Sequence, residues 1–185
     1  MMNAAPLFLD ELTGLHHRAY FLDRLSEAAE AAQTVQQALA LLLVDLDNLF
    51  LINMERGRDS GDRARVALAV TLQRSARPGD TVARLGGDQF ALLLPGTSLA
   101  TATQFACSIR SLVGRAHDVH PDIGTIDVCI GVAACPELGP WRVDDLLALA
   151  DLRLNSAKRS RRWPGSTQQV WAGPPDLPDE DDDDG

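Results

Sequence analysis

Apolar and polar positions along the 185-residue chain switch repeatedly between a helical and a strand period, and the switches mark out the elements. "DELTGLHHRAYFLDRLSEAAEAA" spaces its apolar residues at helical intervals and predicts one capped amphipathic helix. "ALALLLVDLD" is an apolar run ending in two carboxylates, as expected of a buried strand with acids at its C-terminal mouth. "GDRARVALAVTLQRSAR" returns to the helical period and stops at the Pro-Gly turn of residues 78 and 79. "DTVARL" and "QFALLL" then read as the arms of a β-hairpin whose tip holds Gly86 and Gly87. "SLATATQFACSIRSLVGRAH" predicts a helix, "IDVCIGVAAC" a strand rich in β-branched residues, and "VDDLLALADLRLNSAKRSRR" a helix with an acidic start and a basic end. "TQQVWA" predicts a closing edge strand. The fold class is therefore α/β (α+β): a mixed central sheet flanked by helices, with a hairpin carrying the glycine pair.

Composition changes this picture only at the end of the chain. Apolar residues make up 45% and charged residues 23%, close to the globular average. From residue 174 the sequence "PPDLPDEDDDDG" holds seven acidic residues, no basic ones and three prolines, and such a segment is expected to stay disordered. The net charge of −9 falls to −2 for residues 1–173. A nearly neutral body offers no basic footprint for nucleic acid. Three cysteines without paired spacing fit a reduced cytoplasmic compartment. The opening "MMNAAPLFLD" lacks a basic n-region, and no run approaches the ~20 apolar residues of a membrane span. The expected organisation is a lead at 1–9, one domain at 10–173 and an acidic tail at 174–185.

Candidate chemistry gathers around the hairpin. Asp45 and Asp47 are expected on opposite faces of their strand end, so that one of them alone points into a given site. Gly86 and Gly87 let backbone approach a ligand closely. If their strands are neighbours, Asp45 and Asp88 meet beside one bound phosphate, where a magnesium ion takes one or two carboxylates. Gln89, next to Asp88, can hydrogen-bond but supplies no charge. "HDVH", with His117 and His120, lacks a third ligand nearby and reads as an exposed loop.

These motifs, in this order, resemble the GGDEF domain of diguanylate cyclases over about Asp10 to Arg162. "DELTGLHHR" resembles the family's opening signature, "VDLDNLFLINMERGRDSGD" its metal and guanine segment, "RLGGDQF" its namesake hairpin, and "IGVA" with "ADLRLNSAKRSRR" its last core strand and closing helix. The resemblance implies a ferredoxin-like core related to polymerase palms. In the family, two facing domains each hold one GTP, and two phosphoryl transfers with metal ions make cyclic di-GMP. Carried over by residue, Asp45, Asp88 and Gln89 form the metal and catalytic site, with Asp45 and Asp88 as metal ligands. Asn53 and Asp62 read guanine, Gly86 and Gly87 lie against GTP, and Lys158 and Arg162 contact phosphates.

The departures from the family pattern fall in this site. Gln89 replaces a metal-binding glutamate, Phe50 a lysine, Leu49 a phenylalanine, Met54 an aspartate, Arg58 a histidine and Arg161 a glycine. By contrast "RPGD", Arg77 to Asp80, resembles the family's inhibitory R-x-x-D site and keeps its spacing to the glycine pair. Arginine can pair bidentately with guanine O6 and N7, and aspartate can accept from guanine N–H groups.

The resemblance therefore implies a catalytically degenerate domain acting as a cyclic di-GMP receptor, with a protein partner the sequence does not identify. GTP and a second copy of the chain are further candidate partners. Magnesium or manganese is expected only if triphosphate binding survives. A weakly active cyclase and a nucleotide-independent interaction module are the alternatives. Each site has a plainer counterpart: a turn with an exposed ion pair for Arg77 and Asp80, solvated strand-end acids for Asp45 and Asp88, and a favourable basic helix end for Lys158 to Arg162.

Overall fold

The computed structural model describes residues 9–115, 123–135, 140–161 and 169–173. The tail from residue 174, His117, His120 and Arg162 lie outside the described residues. Elements follow in the order β1 (His16–His17), α1 (Arg18–Val35), β2 (Leu39–Asp47), α2 (Leu49–Arg56), α3 (Arg58–Ser75), β3 (Thr81–Gly86), β4 (Gln89–Pro95), α4 (Leu99–Gly114), β5 (Asp127–Cys135), α5 (Val143–Arg161) and β6 (Val170–Trp171). The six strands form one mixed sheet in the order β1-β3-β4-β2-β5-β6. β2 is central and antiparallel to both β4 and β5, while the edge strands β1 and β6 pair in parallel.

Strand alternation divides the core into two layers. Ala40, Leu42, Val44 and Leu46 of β2 turn to one face with Phe90, Leu92 and Ile130, and pack against α2, α3 and α4 through Ile52, Leu68, Leu72 and Ile109. Leu39, Leu41 and Leu43 turn to the other with Ala91, Leu93 and Ala133, under Phe21 and Leu25 of α1 and Ala150 and Leu154 of α5. The near-continuous apolar run of β2 reflects this double burial. Gly131 allows α5 its close approach, since a Cβ there would run into the backbone of Ala150 and Leu154. Among the described residues no helix is long and apolar enough to cross a membrane.

Four expectations are corrected. The first helix starts at Arg18, not at Asp10. The Asp10 carboxylate accepts from the Thr13 backbone N–H (2.9 Å) and hydroxyl (2.7 Å), Gly14 takes φ +69°, and His16–His17 pair with β3. A local side-chain bond to backbone outcompetes helix there. His17 Nδ1 then caps α1 by accepting from the N–H groups of Ala19 and Tyr20. α2 was not foreseen as a helix. It is set off from α3 by Gly57 at φ +86°, a conformation that glycine adopts without steric cost.

Asp45 and Asp47 share a face, because they are two residues apart and the strand period is two; their cross-strand partners on β5, Cys129 and Asp127, are likewise two apart. The last strand is shorter than "TQQVWA" suggested, covering Val170–Trp171.

Candidate functional site

The hairpin of β3 and β4 turns at Gly86 and Gly87, both with positive φ (138° and 53°), and a register shift between Arg84 and Gly86 twists the tip. The tip is tied down from two sides. Leu46 N–H donates to the Asp88 carbonyl (3.0 Å), joining it to β2. Arg84 donates to the Gly87 carbonyl through Nε (3.1 Å) and Nη2 (2.9 Å), and its Nη1 reaches both oxygens of Asp10 at 2.9 and 3.0 Å. Burial alone would raise the Asp10 carboxyl, but hydrogen bonds from Thr13 and Arg84 and the guanidinium charge outweigh it and hold it below its ordinary value.

Asp45 lies directly across from Gln89 in the β2–β4 register, so these two side chains share the α1/α5 face. Its carboxylate pairs with Lys158 Nζ of α5 at 2.7 Å. Asp88 turns the other way, towards α3. Arg65 donates through Nε to Asp88 Oδ1 (3.0 Å) and through Nη1 to Asp62 Oδ1 (2.6 Å). Asp45 and Asp88 are thus neighbours along the sheet but do not converge, and each is neutralised by a cation from a different helix.

Gln89 adds an amide on the Asp45 side and no charge. Beneath Asp45 and Asp47, Cys129 is buried; burial first, then the charges of Asp45 and Asp127, push its thiol up to about 11, so it is no thiolate ligand at neutral pH. Among the described residues no three of His, Cys, Asp and Glu gather as metal ligands. As arranged, these side chains do not fit a two-metal site.

Asn53 of α2 and Asp62 of α3 stand on adjacent helices. Asn53 Oδ1 is buried without a hydrogen-bond partner and lies over Gly61, where a Cβ would collide with it. Phe50, Leu51 and Met54 leave an exposed apolar surface on α2. An open, mostly apolar groove of about 740 Å³ runs along α3 from Asp62 to Arg74, floored by Val66, Val70 and Leu112; of the residues assigned to the site it touches Asp62 alone.

The turn between α3 and β3 is built differently. α3 ends at Ser75 with Ala76 already extended, and Pro78 disfavours helical geometry at the next residue, Arg77. Asp80 Oδ2 accepts from the Arg77 backbone N–H (2.8 Å) and Nε (3.3 Å), its Oδ1 from Arg77 Nη2 (3.3 Å), and Nη2 also donates to the Thr97 hydroxyl (2.7 Å). The Asp80 side chain is 3% exposed and that of Arg77 is 55% exposed. Asp80 therefore holds Arg77, and Arg77 is what the surface presents. Thr97, Arg65 and Arg84 went unnoticed in the sequence. The spacing of Asp62 and Arg65, three residues apart on one helix, was a visible signal for one of them.

Residues 7–163 match the family model described as "Diguanylate cyclase, GGDEF domain". The chain belongs to the GGDEF family. It is 38% identical over 156 residues to the diguanylate cyclase TpbB of Pseudomonas aeruginosa, covering 83% of this chain and 35% of that protein. It is 37% identical over 153 residues to the diguanylate cyclase DgcM of Escherichia coli, covering 83% and 36%. The chain thus spans about a third of the length of these relatives. Among solved structures, the GGDEF domain of DgcB from Caulobacter crescentus in complex with c-di-GMP superposes with a TM-score of 0.78 at 26% identity, covering 92% of this chain and 96% of that one. The diguanylate cyclase SiaD of Pseudomonas aeruginosa, solved with its activator SiaC, gives a TM-score of 0.73 at 32% identity, covering 83% and 58%.

Proposed function

We propose that this GGDEF domain is catalytically degenerate and acts as a cyclic di-GMP receptor through Arg77 and Asp80, passing the bound state to a protein partner. The observation that carries this reading is the exposed Arg77 fork, held in place from behind by the buried Asp80 carboxylate and by Thr97. A fork whose geometry is set in advance loses little side-chain freedom on binding. Nη1, the guanidinium nitrogen that Asp80 and Thr97 do not engage, is left to donate to guanine O6 or N7. Asp80 acts as a positioning residue through Arg77. The c-di-GMP complex of DgcB and the activator complex of SiaD support the ligand and the partner class.

Degeneracy is supported by Gln89 standing across from Asp45 and by the divergent directions of Asp45 and Asp88. Magnesium or manganese has a role only if triphosphate binding survives, with Asp45 and Asp88 released from their partners to hold it. Lys158, now on Asp45, and Arg162 then meet phosphate, Asn53 and Asp62 meet guanine, and Gly86 and Gly87 let the tip approach.

Isothermal titration with cyclic di-GMP, and separately with GTP and magnesium, tests the reading. Micromolar or tighter cyclic di-GMP binding, lost in Arg77→Ala, and no chromatographic product from GTP are the expected results. Equal binding by Arg77→Ala overturns the receptor. A weak cyclase is the second reading, favoured by the intact hairpin tip and the presence of Asp45, Asn53 and Asp62. Product from GTP that disappears in Asp88→Ala selects it. Silence with both nucleotides selects a nucleotide-independent interaction module.

A further inference from the structure

We infer that Arg65 is a resident cation that closes the hairpin's acidic pair, Asp62 and Asp88, to divalent metal ions. One guanidinium bridges the two carboxylates, with Nη1 on Asp62 and both Nε and Nη2 at 3.0 Å from Asp88 Oδ1. Its side chain is 17% exposed, beneath acids that are themselves more open to solvent. Arginine presents its donors in a planar, rigid fork, so one side chain can hold both acids at once.

Arg65 occupies Asp88 Oδ1, so a divalent ion at Asp88 would be left with Oδ2 and would sit beside a fixed positive charge. Magnesium sites draw on one or two carboxylates with near-ideal octahedral geometry. Asp62 of α3, which would join Asp88, is held by the same guanidinium. In this arrangement Asp45 does not assist, because it faces α5 and pairs there with Lys158.

This inference concerns the hairpin alone and does not rest on the receptor reading, which concerns the turn at Arg77. Manganese titration of the full chain, with free ion followed by electron paramagnetic resonance, tests it. The parent is expected to bind no manganese at micromolar concentration. Arg65→Gln, which keeps a hydrogen-bond donor and removes the charge, and Arg65→Leu are each expected to bind at least tenfold more tightly than the parent, with unchanged circular dichroism. The gain is expected to vanish in Arg65→Gln/Asp88→Asn.

Micromolar binding by the parent overturns the inference. So does the absence of a gain in both folded single variants, or a gain that persists without Asp88. Cyclic di-GMP binding measured in the same proteins is expected to stay unchanged, which separates failure here from failure of the receptor reading.

Discussion

Two arginine–aspartate pairs stand within one short stretch of this fold, and they present opposite charges to solvent. At the turn, Asp80 is 3% exposed beneath an Arg77 that is 55% exposed. At the hairpin, Arg65 is 17% exposed beneath an Asp88 that is 36% exposed. Both are close ion pairs by distance. The member left outside decides what each can receive: the turn offers a guanidinium to an electron-rich edge, while the hairpin offers a carboxylate already neutralised from below. A third pair, Arg84 with Asp10, is largely covered on both sides and ties the N-terminal segment to the tip.

The largest expected effect comes from breaking the frame that carries both loops. Gly131→Ala forces a methyl into the backbone of α5 and should cost about 3 kcal/mol in urea unfolding, the upper range for overpacking. The turn depends on α3, β3 and Thr97, so the remaining folded protein should still bind cyclic di-GMP. Loss of that binding in protein that is still folded would show that the two regions are coupled.

Arg77→Ala comes next. Charged hydrogen bonds contribute about 1.5–3 kcal/mol, so calorimetry should record weakening of cyclic di-GMP binding by roughly tenfold to a hundredfold. The melting temperature should fall only slightly, because Arg77 is exposed and the backbone N–H at position 77 still bonds Asp80. A large melting shift with unchanged affinity would make the turn merely structural.

Asp10→Asn probes the covered pair. At pH 7 the substitution should cost about 1.5–3 kcal/mol, the worth of hydrogen bonds to a charged group. The parent's folded carboxyl lies below its ordinary value near 4, so its contribution is complete above that value and is lost as pH falls through the lowered one. Parallel denaturation curves should therefore differ at pH 6 and converge as pH falls through the lowered value. A gap that persists in acid would mean that shape, not charge, holds Asp10.

The smallest effect is one of reactivity. Cys107 is exposed, whereas Cys129 and Cys135 are buried and their thiols are raised by burial. Iodoacetamide at pH 8 should alkylate Cys107 alone in the folded protein, as mass spectrometry would show, with no change in ligand binding. Early modification of Cys129 would mean that the sheet opens beneath Asp45.

The sequence by itself determined the order of the elements other than β1 and α2, the hairpin and its glycine tip, and the family, because strand alternation, apolar runs and motif spacing are local properties of the chain. It also marked Arg77 and Asp80, whose contact closes within four residues. Local chemistry misled where a side chain competed with the backbone, as Asp10 and Thr13 did at the start of the first helix.

Only the tertiary structure decided which charge faces outward. Arg65 meets Asp88 across 23 residues and Lys158 meets Asp45 across more than a hundred, so no periodicity announces either pair. The packing of α3 on one side of the sheet and α5 on the other turns Asp88 and Asp45 apart. Burial is a property of the whole assembled core, and the choice of an exposed arginine at one loop and an exposed acid at the next follows from it.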